Sequence, residues 1–103
     1  GAAPRLRFTA LLDDQGCLCV AGWRVMETTT VIRKIYVDDL VTARAARSQG
    51  CGARMLQHIE QRARELGITR IELDSGVQRH AAHRFYLRQH YDIVSHHFAR
   101  TLA

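Results

Sequence analysis

The chain has 103 residues, enough for one small domain and no more. Hydrophobic residues make up 47% and charged residues 24%, with one proline and no low-complexity run, which excludes a largely disordered chain and leaves room for a small core. No apolar run approaches the roughly 18 residues that span a bilayer, and the formal charge of +5, carried by fourteen arginines against one lysine, points to an anionic partner without saying which.

Residues 5–12 (RLRFTALL) are apolar and β-prone, and end at Asp13-Asp14-Gln15-Gly16, a turn by composition. Residues 17–26 (CLCVAGWRVM) form a second strand, so the first two read as a hairpin. Residues 27–30 (ETTT) connect to a third strand over 31–42 (VIRKIYVDDLVT). Unbroken alternation there puts Ile35, Val37, Asp39 and Val41 on one face and Tyr36, Asp38, Leu40 and Thr42 on the other. After a polar loop over 43–49, Met55, Leu56, Ile59, Ala63 and Leu66 recur at three- and four-residue steps and predict a helix over 50–66, closed by Gly67.

Residues 68–73 (ITRIEL) then form a short strand, so strands 31–42 and 68–73 are expected to be parallel neighbours with a right-handed crossover. Residues 74–78 are a loop, and 79–89 (RHAAHRFYLRQ) a second helix with Ala82, Phe85 and Tyr86 near one side. Residues 91–94 and 96–102 give one or two last strands. The fold class is α/β (α+β). It is a mixed, mostly antiparallel twisted sheet with helices packed on it, in the order β-β-β-α-β-α-β-β, as a single domain over 1–103.

Three cysteines, an odd number without the density of a secreted scaffold, read as reduced thiols, and the start GAAPRLR has no apolar signal core. Both point to the cytoplasm. Cys17 and Cys19 alternate on a strand and read as two small buried apolar side chains. A zinc site would need two more ligands, and His80, His90, His96 and His97 match no zinc spacing, so no metal is expected.

The stretch ARSQGCGARMLQHIEQRARELG, residues 46–67, places Gly50 and Gly52 where a helix begins. Glycines there let the main chain approach another group closely. A helix start offers free N–H groups and positive dipole. Together they suggest an anion on backbone amides, and a phosphate is the natural one.

Arg47-Ser48-Gln49-Gly50-Cys51-Gly52 resembles the acetyl-CoA pyrophosphate loop (Q/R-x-x-G-x-G/A) of the GNAT superfamily of N-acetyltransferases. YVDDLVT before it looks like that family's fourth strand, and RHAAHRFYLRQHYDIVSHHF like its second signature, a helix with A-H-x-F-Y followed by a strand. The resemblance covers residues 5–102. It implies a direct transfer of acetyl from acetyl-CoA, as co-substrate, to a primary amine. The coenzyme would meet Arg47, Ser48, Gln49, Gly50, Cys51, Gly52 and Ala53 at its pyrophosphate, and the backbone of Leu40, Val41 and Thr42 along its pantetheine arm. The amide of Val41 or a neighbour would polarise the thioester carbonyl.

Tyr86 stands where the family often has the tyrosine that protonates the departing thiolate, so the resemblance implies that it also touches the coenzyme. The general base is implied to be a carboxylate on the fourth strand. Asp39 and Asp38 are the candidates, Asp39 favoured slightly for its place on the Val37 and Val41 side, with Glu27 a remote third. His83, three residues before Tyr86, reads as a helix-packing histidine ahead of one that orients the tyrosine or the coenzyme.

Departures are as informative. The family's domain begins with a strand and two helices ahead of the hairpin, and these build much of the acceptor side; this chain begins at the hairpin. Arg79 stands where asparagine is frequent, and His90 where glycine is frequent, so His90 is expected to take a left-handed conformation. The short acceptor side leaves three expectations open: a truncated sequence, a partner chain that fills the gap, or a second reading of the function, a non-catalytic acyl-CoA-binding or regulatory module. A small basic nucleic-acid-binding protein is a remote third, favoured by charge alone. Exposed strands at both sheet ends make a homodimer plausible.

Overall fold

In the computed structural model the described residues are 5–13, 16–30, 32–44 and 49–103. Six elements follow in chain order: β1 (Arg7–Asp13), β2 (Gly16–Glu27), β3 (Arg33–Thr42), α1 (Cys51–Glu65), β4 (Ile71–Leu73) and α2 (His80–Arg88). The sheet order is β1-β2-β3-β4, with the first two pairings antiparallel and β3–β4 parallel. The crossover through α1 is what lets β4 run parallel to β3.

One face of the sheet packs on α1. Cys19, Ala21, Trp23, Ile35 and Val37 are buried there against Cys51, Met55, Ile59 and Ala63 of the helix and Ile68 beyond it. Leu56 and Ile59 are fully buried. Each large side chain of this kind contributes about 1.5–3 kcal/mol. The apolar steps along 55–63 thus settle the helix and its inward face, with Leu66 only half-buried at its end.

The polar connection after β2 is a turn built by Thr28. Its N–H donates to the Ile32 carbonyl at 2.9 Å, and its hydroxyl oxygen accepts from the Ile32 N–H at 3.1 Å. Both helices end alike. Gly67 N–H donates to Arg64 O and Ile68 N–H to Ala63 O; His90 N–H donates to Leu87 O and Tyr91 N–H to Tyr86 O. This pattern needs a left-handed residue after the cap. Gly67 supplies it at φ 72° and His90 at φ 68°, as expected for His90 from the sequence.

Two expectations need correction. Residues 91–94 and 96–102 join no ladder; their large apolar side chains Ile93, Val94, Phe98 and Leu102 are exposed. β-prone composition makes a strand only where a partner edge accepts it. The alternation along β3 is also broken. Gly22 pairs with Asp39 but Trp23 pairs with Val37, so Asp38 is an extra residue, a bulge. Past it the faces swap. Ile35, Val37, Leu40 and Thr42 lie on the α1 side with Ala21 and Cys19, while Tyr36, Asp39 and Val41 lie on the other.

Candidate active site

The bulge opens the site. The parallel ladder runs only from Ile35↔Ile71 to Val37↔Leu73. Beyond it Asp39–Thr42 stay paired with β2 on one edge and, among the described residues, have no strand on the other. The direction of the free groups follows from two bonds. Ile35 N–H donates to Arg70 O, on the β4 side, and Ala43 N–H donates to Leu18 O, on the β2 side. Main-chain groups alternate along a strand. Val41 therefore faces β2, and the N–H and C=O of Leu40 and Thr42 face the fork.

The fork is a cleft of about 820 Å³, bounded by β3 from Val37 to Thr42, the first turn of α1 and the inner side of α2. It brings together Asp38, Asp39, Leu40, Val41, Thr42, Gly50, Cys51, Gly52, Ala53 and Tyr86, all singled out from sequence. Gln49 is exposed beside Gly50 and does not line it, while Arg47 and Ser48 lie outside the described residues.

The two glycines have different reasons. Gly50 is the N-cap of α1 at φ 76°, ψ 13°, a left-handed conformation, and a β-carbon there would touch nothing within 4 Å. Its role is backbone geometry. Gly52 sits inside the helix, and a β-carbon on it would lie 3.1 Å from Cζ of Phe85. That position is small so that α2 can pack against α1. Among the described residues no side-chain hydrogen bond is recorded at the Gly50 cap, and the first turn of α1 holds no acidic residue. Arg54 N–H is the first to bond back, to Gly50 O, which leaves the N–H groups of Cys51, Gly52 and Ala53 outside the helical ladder. Their dipole favours an anion.

Asp38 is engaged: Nε of Arg24 donates to its Oδ2 at 2.8 Å. Asp39 lines the cleft with no side-chain hydrogen bond or ion pair among the described residues. The bulge places Asp39 on the face away from α1, opposite Gly22 and near Phe8. The rule that only one of the two aspartates can face the cleft fails here, because a bulge residue steps out of the alternation.

Tyr86 is half-buried, and burial pushes its phenol up, with the Arg79 cation opposing. It therefore holds its proton at neutral pH. Its backbone is fixed by the Tyr91 N–H on its carbonyl, and Tyr91 Oη donates to Glu60 of α1 at 3.3 Å. His83 does not orient Tyr86 directly; its Nε2 donates to Gly76 O at 2.7 Å and ties the 74–79 loop to α2.

Sequence reasoning missed Asp74, Phe85 and Arg88 in the lining, and Arg24 and Tyr36 behind it. Tyr36 Oη donates to Asp74 Oδ2, closing the base of the fork, and this bond raises the phenol to about 12. Asp74 had a usable signal: it directly follows a parallel strand, where ligands of α/β sheets gather. Arg24 had none, because its partner depends on the bulge.

Among the described residues no group of three or more His, Cys, Asp or Glu could hold a metal, and no helix is long and apolar enough to cross a membrane.

The sequence profile described as Acetyltransferase (GNAT) family matches residues 2–91. An uncharacterized N-acetyltransferase of Bacillus subtilis is 42% identical over 52 residues, covering 50% of this chain and 37% of the relative. The aminoalkylphosphonate N-acetyltransferase of Salmonella typhimurium is 35% identical over 66 residues, covering 64% and 43%. The chain thus spans less than half the length of these two relatives. An integron cassette protein from the mobile metagenome of V. cholerae superposes with a TM-score of 0.84 at 18% identity, over 95% of this chain and 62% of that one, a likeness of fold.

Proposed function

Because the chain belongs to the GNAT acetyltransferase family, we propose that it moves an acetyl group from acetyl-CoA to a primary amine. The observation that carries this reading is the opening of one cleft onto both a strand edge and a helix start that no described strand or side-chain cap occupies. A volume of about 820 Å³ suits a ligand of this size, since such sites run to roughly 300–1,000 Å³. The amides of Cys51, Gly52 and Ala53 offer donors to a diphosphate, with Gly50 setting their direction. The Leu40 and Thr42 edge can pair with an amide-bearing chain as a further strand would.

In this scheme the amine nitrogen attacks the thioester carbonyl carbon. A C–N bond forms and the C–S bond breaks. The N–H of Leu40 or Thr42 steadies the carbonyl oxygen, in place of Val41, whose groups face β2. Asp39 takes the proton lost by the amine, and Tyr86 gives one to sulfur.

One observation favours a second reading, a module that binds acyl-CoA without turning it over. The sheet face carrying Asp39 is bare, with Phe8, Leu12 and Val41 exposed, so the described residues build little acceptor wall. Calorimetric titration with acetyl-CoA, followed by addition of amines while free thiol is recorded, separates the two. Binding with amine-dependent thiol release supports transfer, binding without release supports the module, and absence of binding removes both.

A further inference from the structure

We propose that the acceptor is a primary amine on an apolar stem, held with its nitrogen at Asp39 and its stem in a notch over Gly22 beside Phe8. This deepens the transfer reading above and rests on it. Phe8, Gly22 and Asp39 lie abreast on β1, β2 and β3, Phe8 paired with Gly22 and Gly22 with Asp39. They share the sheet face turned away from α1. A β-carbon on Gly22 would stand 3.2 Å from Cε1 of Phe8 and 3.6 Å from Oδ2 of Asp39. Ring and carboxylate therefore flank a gap with the glycine as its floor.

Backbone geometry gives no reason for that glycine. Gly50 and Gly67 have positive φ, whereas Gly22 keeps an ordinary strand conformation. The bulge opposite it carries its extra residue on β3, at Asp38. A glycine inside a strand costs conformational entropy, and it is found where another group must approach the backbone closely.

The chemistry of the notch selects its occupant. Arg24 takes the Asp38 carboxylate, while Asp39 has no side-chain hydrogen bond or ion pair among the described residues and offers a counter-ion to an ammonium. On one side of Asp39 the face is polar and already bonded, Arg24 to Asp38 and Tyr36 to Asp74. On the other side the next row is Ala10, Val20 and Val41, all apolar and in register. Phe8 is 67% exposed and Val41 64%. A stem leaving a nitrogen at Asp39 thus covers apolar side chains, and a second charge on it would meet no described partner in this row. Asp39 and Val41 also line the cleft, so the notch opens where the N–H groups of Leu40 and Thr42 face the fork.

Two readouts test this. In amide spectra of the ¹⁵N-labelled chain saturated with coenzyme A, titration with phenethylamine should shift Phe8, Gly22, Asp39 and Val41 most. In amine-dependent thiol release from acetyl-CoA, phenethylamine should exceed ethanolamine and putrescine by about tenfold or more in kcat/KM, as apolar pocket contacts discriminate. Phe8→Ser, at an exposed position, should erase most of that lead with acetyl-CoA affinity at the parent's value, and Gly22→Val, which fills the notch, should raise the KM for phenethylamine. A ranking led by ethanolamine or putrescine, or a lead that survives Phe8→Ser, overturns the inference and leaves the transfer reading intact. So does the absence of shifts at those four amides. Shifts there without thiol release from any amine overturn the transfer reading instead, the notch standing as an amine-binding site.

Discussion

Gly52 of α1 stands directly against Phe85 of α2, where a β-carbon would come within 3.1 Å of the ring. This contact sets how far α2, and Tyr86 with it, sits from the start of α1. Gly52→Ala should push Phe85 aside and weaken acetyl-CoA binding, the strain of the close contact offsetting the roughly 1 kcal/mol that alanine gains over glycine inside a helix. Gly50→Ala meets no atom but must hold a left-handed conformation, at about 1–2 kcal/mol. Melting curves and calorimetry on both variants check this. Equal tolerance of alanine at Gly52 and at an exposed helical site such as Gln57 would show that the contact is slack.

Asp39 and Asp38 should separate by function. Asp39→Asn is expected to lower kcat by roughly 10²–10⁴-fold, the usual range for a general base, with coenzyme affinity nearly intact. Asp38→Asn breaks the ion pair with Arg24, a half-exposed pair worth about 0.2–1 kcal/mol, and should leave kcat close to the parent's. Steady-state kinetics with a responsive amine decides; the reverse order of the two effects would move the base to Asp38.

Tyr86→Phe should slow turnover by a similar factor and leave acetyl-CoA affinity unchanged. Burial raises this phenol, so the parent should keep its acid form through neutral pH and well into the alkaline range. Stopped-flow thiol release in parent and variant reads the difference, and equal rates would remove Tyr86 from the mechanism.

Tyr36 links stability to pH. Its bond to Asp74 raises the phenol from 10.0 to about 12 in the folded chain. The folded state therefore holds this proton more tightly than the unfolded state. The contribution is fully present below pH about 10 and fades as pH rises through about 12. Urea unfolding across this window should show stability falling, and Tyr36→Phe should flatten the fall while costing about 0.5–1.5 kcal/mol at neutral pH.

His90 closes α2 at φ 68°, a conformation that costs a residue with a β-carbon about 1–2 kcal/mol. His90→Gly should raise the melting temperature by relieving it, less the backbone entropy glycine adds to the unfolded chain. A lower melting temperature would mean that the imidazole contributes more at this site than the strain it carries.

Much of the fold was legible because local patterns coincide with packing. Met55, Leu56, Ile59 and Ala63 mark the face of α1, and Gly67 marks its end. The cleft was legible in outline because Gly50 and Gly52 flag a helix start and Tyr86 lies within a recognisable element. The face of each β3 residue was not, since one extra residue at Asp38 inverts everything after it, and the bulge is set by pairing with Gly22 and Trp23 on another strand. The purpose of Gly52 was hidden for the same reason, its neighbour Phe85 being 33 positions away in sequence. The strands expected beyond Tyr91 failed because apolar alternation carries no information about whether an edge is there to receive it.

The most direct test is an amide spectrum of the ¹⁵N-labelled chain during titration with acetyl-CoA. The account predicts that the largest shifts fall on the N–H groups of Cys51, Gly52 and Ala53, with Leu40 and Thr42 following and Val41 moving less. Saturable binding that leaves the first turn of α1 unmoved would contradict it.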